Sequence, residues 1–134
     1  MGVRGKQWAE VINKHPDTIV VAYVRKNVNL AHIPGEQWDE SIPCFSSLAE
    51  ALECVDADAV VVVSPPEYHY DQVLTAFDHG CHVICEKPLS ENYDECIEMV
   101  KEAEKRKLIF MIGMNFRYLS VTKKYREIVQ NKSI

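Results

Sequence analysis

Long hydrophobic runs are missing from this sequence of 134 residues. The longest apolar run covers residues 57–64 and is interrupted by Asp58, so it falls far short of the roughly 20 residues that a bilayer-spanning helix needs. The segment from Met1 to Lys6 has no apolar stretch and no small-residue cleavage site. We therefore expect no membrane span, no secretory signal and a cytoplasmic location.

Positive charge is also scarce, because 15 Lys and Arg residues face 20 Asp and Glu residues, for a net charge of −5. Nucleic acids and anionic membranes attract concentrated positive charge, so we expect neither as a partner. Glycine and proline are few, at 5 and 6 residues, and 47% of the chain is hydrophobic. This balance indicates one folded domain over residues 1–134.

Cysteine is present in an odd number, which argues against a complete set of disulfides. The five cysteines lie within apolar segments, which predicts buried free thiols; they are Cys44, Cys54, Cys81, Cys85 and Cys96. The spacing of Cys81 and Cys85 invites a metal site, but the residues between them read as a buried strand. A structural zinc site needs four convergent ligands, so we expect no metal.

Helical and extended patterns alternate along the chain. Trp8, Val11 and Ile12 predict a first helix, and the valine run Ala59–Val63 predicts a central strand covered on both faces. Further strands are predicted at Thr18–Val24, Cys44–Phe45, His82–Cys85 and Leu108–Ile112. Four further helices are predicted. One begins after Ser46-Ser47 and turns Leu48, Ala51, Leu52 and Val55 inward, and the next runs from about Pro66 to His79, before Gly80. A third begins at a Ser90 or Asn92 cap and turns Tyr93, Cys96, Ile97 and Val100 inward, and the last runs from Val121 to Gln130.

This alternation implies right-handed crossovers and a parallel sheet, and hence an α/β, Rossmann-type doubly wound fold. Gly2-Val3-Arg4-Gly5, at the start of the first helix, resembles the second half of a glycine-rich phosphate loop. In such a loop, glycine lets the backbone approach a pyrophosphate and the free N–H groups of the first helical turn face the anion. By itself this signal is weak.

Two further motifs follow neighbouring strands. Ser64-Pro65-Pro66-Glu67-Tyr68-His69 comes after the valine strand, and Cys85-Glu86-Lys87-Pro88-Leu89 ends the next one. Open α/β sheets bind their ligands at the carboxyl ends of strands. The two motifs are therefore predicted to form one site.

Together with Gly80 to Leu89 and Gly113-Met114-Asn115-Phe116-Arg117, these motifs strongly resemble the N-terminal domain of the Gfo/Idh/MocA oxidoreductases, over essentially the whole chain. The resemblance implies that NAD or NADP binds here and that hydride passes between the cofactor and a secondary alcohol of a sugar, cyclitol or similar small molecule. It implies Lys87 as the catalytic residue, helping to take the proton from the substrate hydroxyl. The cofactor-binding residues implied or predicted are Gly2, Val3, Arg4, Arg25, Ser64, Pro65, His69, Glu86, Lys87, Pro88 and Asn115. His82 is expected to be a hydrogen-bonded strand histidine, and for Asn115 and Arg117 a structural role is an equal alternative.

Arg25 departs from the pattern of NAD-specific domains, which end the second strand with an acidic residue for the ribose hydroxyls. A guanidinium at this position can bind a 2′-phosphate. We therefore predict a preference for NADP over NAD, with a plain surface arginine as the alternative.

Two parts of the family pattern are also missing. In the strand order 3-2-1-4-5-6 the first strand lies between the second and fourth, and the sequence begins after it, so we expect a truncated chain, direct pairing across the gap or a strand from a partner. The second domain, which supplies most substrate contacts, would follow the last residue. We expect no turnover of a small-molecule substrate without this second domain. The chain could also form a homo-oligomer. The alternatives are a non-catalytic nucleotide-binding or interaction module and a degenerate product that binds no cofactor.

Overall fold

A computed structural model describes residues 3–26, 39 and 41–131 of the chain. Helices and strands alternate along it, as the hydrophobic pattern predicts, and this confirms the α/β fold. In order, the elements are α1 (Val3–Lys14), β1 (Tyr23–Val24), β2 (Cys44–Phe45), α2 (Leu48–Cys54), β3 (Ala59–Val62), a 3-10 turn (Pro66–Tyr68), α3 (His69–Asp78), β4 (His82–Cys85), α4 (Tyr93–Arg106), β5 (Phe110–Ile112), a second 3-10 turn (Asn115–Tyr118) and α5 (Ser120–Gln130).

In the part of the chain that the structure describes, the strands form two separate parallel sheets. β1 pairs with β2 in one sheet, and β3, β4 and β5 pair in that order in the other. In the three-stranded sheet, Val60 lies opposite Val83, and Val83 lies opposite Phe110. Within the described residues β1 and β3 do not pair, so the direct pairing that was one of the expected outcomes is not observed.

The predicted strand Thr18–Val24 is wrong in length, because only Tyr23 and Val24 form a ladder. Ile19 is 76% exposed, although its β-branched side chain favours a sheet. A residue with strand propensity enters a ladder only where a neighbouring strand offers hydrogen-bond partners. Here β2 is two residues long and pairs with only the end of the predicted strand.

The residues that the sequence marks as helix caps lie at helix ends in the structure. Ser47 caps α2 by accepting a hydrogen bond from the backbone N–H of Glu50 at 3.2 Å, and Asn92, rather than Ser90, caps α4 by accepting from Asp94 at 2.9 Å. Gly80 follows α3 with a φ of +76°, which is a conformation that favours glycine. The helix predicted from Pro66 to His79 divides into a 3-10 turn and α3.

The core lies between α3, α4 and the three-stranded sheet. Phe77 on α3 is 1% exposed, and its ring meets that of Phe110 edge to face, with 5.4 Å between the ring centroids. Burying such a side chain contributes about 2–3 kcal/mol. The core cluster comprises Val62, Val73, Ala76, Phe77, Cys81, Val83, Cys85, Met99 and Ala103.

The predicted inner face of α4 is partly wrong. Tyr93 is 76% exposed and Val100 42% exposed, whereas Met99 and Ala103 are buried. Because α4 packs on α3, its buried face contains Met99, one residue before the predicted Val100. Tyr93 lies in the exposed first turn of the helix. Apolar residues on several sides of a helix leave the buried face undetermined by periodicity alone.

All five cysteines are free, as predicted. Cys81 and Cys85 are buried, but Cys54 is exposed and the other two are half-buried, so the prediction of general burial is wrong. His82 is hydrogen-bonded, as expected: its Nδ1 accepts from the backbone N–H of Ile109 at 3.1 Å. None of the helices within the described residues has both the length and the apolar character needed to span a bilayer.

Candidate functional site

The strand-end loops and the start of α1 meet at one edge of the molecule. The carboxyl ends of β3 and β4 lie side by side because Val62 pairs with Cys85 in a parallel ladder. Side chains then join the loops beyond them. The ammonium of Lys26, just past β1, lies 5.8 Å from the ring centroid of Tyr68 in the turn after β3. The predicted convergence of the two motifs is therefore present in the structure.

His69 ties the loop after β3 to the loop after β4. Its side chain is 1% exposed. Its Nε2 lies 2.8 Å from the carbonyl oxygen of Ser64, and its Nδ1 lies 3.0 Å and 3.2 Å from those of Pro88 and Leu89. Both ring nitrogens of His69 thus lie within hydrogen-bond distance of main-chain carbonyl oxygens, and the side chain connects the two loops.

Glu86 connects the second loop to α1. Its Oε1 accepts a hydrogen bond from the indole Nε1 of Trp8 at 3.0 Å, and its Oε2 lies 3.3 Å from the backbone N–H of Lys87. Gly113 lies against the same carboxyl group, because a methyl group there would stand 3.3 Å from Cδ and 3.4 Å from Oε1 of Glu86. The absence of a side chain at Gly113 thus lets the Glu86 carboxylate reach Trp8.

An open cleft of about 230 Å³ lies beside this carboxylate, between the start of α1 and the ends of β4 and β5. One wall carries the Arg4 guanidinium, which donates to the side-chain oxygen of Gln7 at 3.1 Å. The first turn of a helix offers free N–H groups and a partial positive charge to anions. The lining residues are Arg4, Gln7, Trp8, Val11, Glu86, Gly113 and Asn115.

Lys87 and Pro88 form the exposed tip of the loop after β4 and are joined by a cis peptide bond. Glu86 holds the backbone N–H of Lys87, and His69 holds the carbonyl of Pro88. The Lys87 side chain is exposed. The loop is therefore fixed at both ends of its tip while the lysine amine stays accessible.

The other predicted residues lie farther along the same edge. Ser64 directs its hydroxyl to the side-chain oxygen of Gln72 at 2.6 Å, and Pro65 is exposed. Arg25 is half-buried directly after β1, where its backbone N–H donates to the carbonyl of Phe45 at 2.9 Å. Val3 is 78% exposed at the first turn of α1. Gly2 lies outside the described residues.

Burial changes the pKa of a thiol next to the loop that carries Lys87. Cys85, the last residue of β4, is fully buried, and burial, together with the nearby Glu86 carboxylate and Cys96, raises the pKa of its thiol to about 12. A thiol with so high a pKa is a poor nucleophile at neutral pH. Cys85 therefore belongs to the core of the site and not to its chemistry. Among the described residues, no group of three or more potential metal-ligating side chains is present.

The sequence predictions included Arg4, Glu86 and Asn115 but missed four cleft residues, Gln7, Trp8, Val11 and Gly113. The helical spacing indicates Trp8 only as an apolar residue of the first helix. An indole N–H on the inner face of a helix requires a hydrogen-bond acceptor. This requirement indicates that Trp8 has a polar partner. The identity of the partner, 78 positions away, had no local signal.

Comparison with known proteins extends these observations. The family model described as "Oxidoreductase family, NAD-binding Rossmann fold", Gfo/Idh/MocA, matches residues 1–114. The chain is 31% identical over 121 residues to 2,7-anhydro-N-acetylneuraminate hydratase of Escherichia coli, which covers 87% of this chain and 31% of that protein. It is 36% identical over 75 residues to scyllo-inositol 2-dehydrogenase (NADP(+)) of Bacillus subtilis, covering 56% of this chain and 23% of that enzyme.

The fold agrees with that of scyllo-inositol dehydrogenase from Lactobacillus casei, solved with bound NAD(H) and scyllo-inositol. The TM-score is 0.85 at 23% identity, over 100% of this chain and 40% of that one. The chain spans less than a third of the length of the two relatives named above. From the family match and the fold, the chain belongs to the Gfo/Idh/MocA oxidoreductases and contains their NAD-binding Rossmann domain.

Proposed function

We propose that this chain binds NADP in preference to NAD, as the cofactor-binding part of an oxidoreductase that acts on a secondary alcohol of a sugar or cyclitol. One observation carries the proposal: the cleft joins the first turn of α1, with Arg4, to the loop of Glu86 and the segment of Asn115. A helix start, a cation and an amide are groups that bind phosphate and ribose. The loop of Glu86 is joined to that of Ser64 through His69, and Lys26, next to Arg25, lies against Tyr68 in the turn that follows.

Arg25 supports the choice of NADP. It follows β1 directly, at the position where NAD-specific Rossmann domains carry an acidic residue for the ribose hydroxyls. A guanidinium forms charge-assisted bonds with a phosphate, and a carboxylate repels one. The similarity to a relative whose name includes NADP(+) points in the same direction.

Lys87 is the proposed catalytic residue. When bound, the nicotinamide cofactor would supply the hydride-transfer chemistry. The Lys87 amine takes the proton from the substrate hydroxyl, and its exposed position at the loop tip leaves it open to a substrate. Glu86 and His69 keep the loop in place, through the Lys87 N–H and the Pro88 carbonyl.

Titration of the chain with NADPH and NADH, followed by calorimetry, tests the cofactor proposal. We expect NADPH to bind about tenfold more tightly or better, since one charge-assisted contact contributes about 1.5–3 kcal/mol. Arg25→Ala should remove the preference and Arg25→Glu should reverse it. Lys14→Ala, an exposed cation at the other end of α1, is the matched control. Tighter binding of NADH by the parent chain contradicts the proposal.

The catalytic role of Lys87 can be tested in a chimera. In this chimera, the segment of this chain that matches the Bacillus subtilis enzyme replaces the corresponding segment of that enzyme. Loss of a general base typically costs 10²- to 10⁴-fold in rate, so Lys87→Met should lower kcat by about 10²-fold or more. The dissociation constant for NADPH should change little. Lys101→Met, on the exposed side of α4, is the control, and an unchanged kcat in Lys87→Met removes the lysine from the mechanism.

A further inference from the structure

The Glu86 carboxylate is held at both of its oxygens, by donors from different parts of the chain. Its Oε1 accepts the hydrogen bond from the indole Nε1 of Trp8, 78 positions earlier, at 3.0 Å, and its Oε2 lies 3.3 Å from the backbone N–H of Lys87. Hydrogen bonds weaken steeply as their angles close, so a rotation of the carboxylate toward one donor weakens the contact with the other. The two donors therefore select one orientation of the Glu86 side chain.

The neighbouring strands fix the main chain at this point. The backbone N–H of Glu86 donates to the carbonyl of Val62 at 2.9 Å, and the carbonyl of Cys85 accepts from the N–H of Gly113 at 2.8 Å. These bonds place the main chain of Glu86 but do not set the direction of its side chain. The contact with Trp8 supplies that direction.

The orientation of Glu86 matters for Lys87, because a peptide group is planar. The carboxylate holds the N–H of the peptide group between the two residues. The orientation of that plane sets the direction in which the Lys87 side chain leaves the main chain. Since the side chain itself is exposed, its direction depends on this hold at the main chain.

Trp8 and Glu86 also border the cleft, together with Arg4 and Asn115, two of the proposed cofactor-binding residues. A ligand that fills the cleft therefore lies against the same carboxylate that holds Lys87. The start of α1, the cleft and the lysine loop share one side chain.

We propose that Trp8 is a positioning residue for Lys87 and that it acts through Glu86. The indole holds the carboxylate, the carboxylate holds the Lys87 N–H, and the lysine amine is thereby directed toward the substrate. A base must lie within about 3 Å of the proton that it takes, and a misplacement of about 1 Å can cost about 100-fold in rate. The role of Trp8 rests on the role proposed for Lys87.

NMR of the full ¹⁵N-labelled chain tests the connection directly. Trp8→Phe removes the indole donor and keeps an aromatic ring. We expect the backbone amide resonance of Lys87 to move and its exchange with water to become about tenfold faster, because exchange reports local opening. Glu10→Ala, at an exposed position of α1, is the control and should leave the Lys87 amide unchanged. A Lys87 amide that is also unchanged in Trp8→Phe refutes the connection.

Turnover separates positioning from a purely structural role. For this test the whole chain replaces the part of the Lactobacillus casei scyllo-inositol dehydrogenase that it matches. Trp8→Phe should lower kcat by about tenfold or more, while the dissociation constant of the cofactor changes less than about threefold. A purely structural role would lower the folded fraction and leave kcat per folded enzyme unchanged, and that result overturns the proposal.

A double-mutant cycle in the same chimera shows whether Glu86 carries the effect. In a Glu86→Ala background Trp8→Phe should lower kcat no further, because residues that act through one contact are not additive. Equal losses in the two backgrounds contradict the proposal.

Lys87→Met in this chimera distinguishes the two ideas. If Lys87→Met leaves kcat unchanged, the proposed function of the lysine fails, and the role of Trp8 fails with it. If Lys87→Met lowers kcat and Trp8→Phe does not, only the role of Trp8 is refuted.

Discussion

The indole Nε1 of Trp8 donates a hydrogen bond of 3.0 Å to Oε1 of Glu86, and this bond joins α1 to the loop that carries Lys87. The same carboxylate also holds the backbone N–H of Lys87. The Glu86 side chain thus connects the start of α1 to the backbone of the proposed catalytic lysine. A shift of either element disturbs the other.

Trp8→Phe removes this donor and keeps most of the apolar volume. A hydrogen bond to a charged acceptor contributes about 1.5–3 kcal/mol, and its partial exposure reduces that value, so we expect a loss of about 1 kcal/mol in unfolding free energy. Urea denaturation followed by circular dichroism measures it. Glu10→Ala, at an exposed position of α1, is the control, and a Trp8→Phe variant as stable as the parent would show that the bond contributes nothing.

Gly113→Ala should disturb the same contact from the other side, since the added methyl group would lie 3.3 Å from Glu86 Cδ. Displacement of a packed group typically costs about 1–3 kcal/mol. We expect the indole N–H resonance of Trp8 to move in the NMR spectrum and NADPH affinity to fall.

Gly80→Ala is the matched control for that change. At Gly80 a methyl group meets nothing within 4 Å, but the φ of +76° strains any side-chain-bearing residue. We expect a stability loss of about 1 kcal/mol with an unchanged Trp8 resonance. Equal resonance shifts in both variants would rule out a local contact between Gly113 and Glu86.

His69→Phe removes both ring nitrogens that contact the carbonyl oxygens of Ser64, Pro88 and Leu89. A buried polar group left unpaired costs about 1–3 kcal/mol, so we expect a stability loss in that range and higher exchange rates in both loops. His79→Phe is the control, because His79 is exposed and its Nδ1 contacts only the carbonyl of Thr75. Similar losses in the two variants would remove the special role of His69.

The buried thiol of Cys85 predicts how stability depends on high pH. Its pKa rises from an ordinary value near 9 to about 12 in the folded chain, so the folded state keeps a proton that the unfolded state releases. This contribution is complete below pH 9 and is lost between pH 9 and about 12, with a slope of about 1.4 kcal/mol per pH unit. Cys85→Ala should show a shallower decline in that range than the parent, and Cys54→Ser, at an exposed position, should show the same decline. Parallel curves for Cys85→Ala and the parent contradict the assignment.

Patterns confined to one segment predicted much of the fold. The valine run predicted a strand and β3 lies there, while Ser47 and Gly80 marked helix ends that the structure contains. These signals depend on residues close together in the chain. The central, doubly covered position predicted for this strand is wrong, because within the described residues β3 is an end strand of its sheet and only Val62 of it is buried. The inner face of α4 was misread at Val100, and the strand from Thr18 was too long, because burial and pairing depend on neighbours that are distant in sequence.

The sequence likewise predicted one part of the candidate site and not another. Its motifs were found because they directly follow strands, and parallel strands bring their carboxyl ends to one edge. The contacts that hold these loops were not predicted: His69 contacts the carbonyl oxygens of both loops, and Trp8 donates to Glu86. Each of those contacts joins segments that only packing brings together.

The sequence by itself determined the order and type of the elements, the family, and the strand ends that carry the candidate chemistry, because periodicity, caps and motifs act over a few residues. The tertiary structure alone decided which face of each helix is buried, that Trp8 bonds Glu86, and that the described strands form two sheets. Those outcomes depend on which hydrogen-bond and packing partners reach each group in three dimensions.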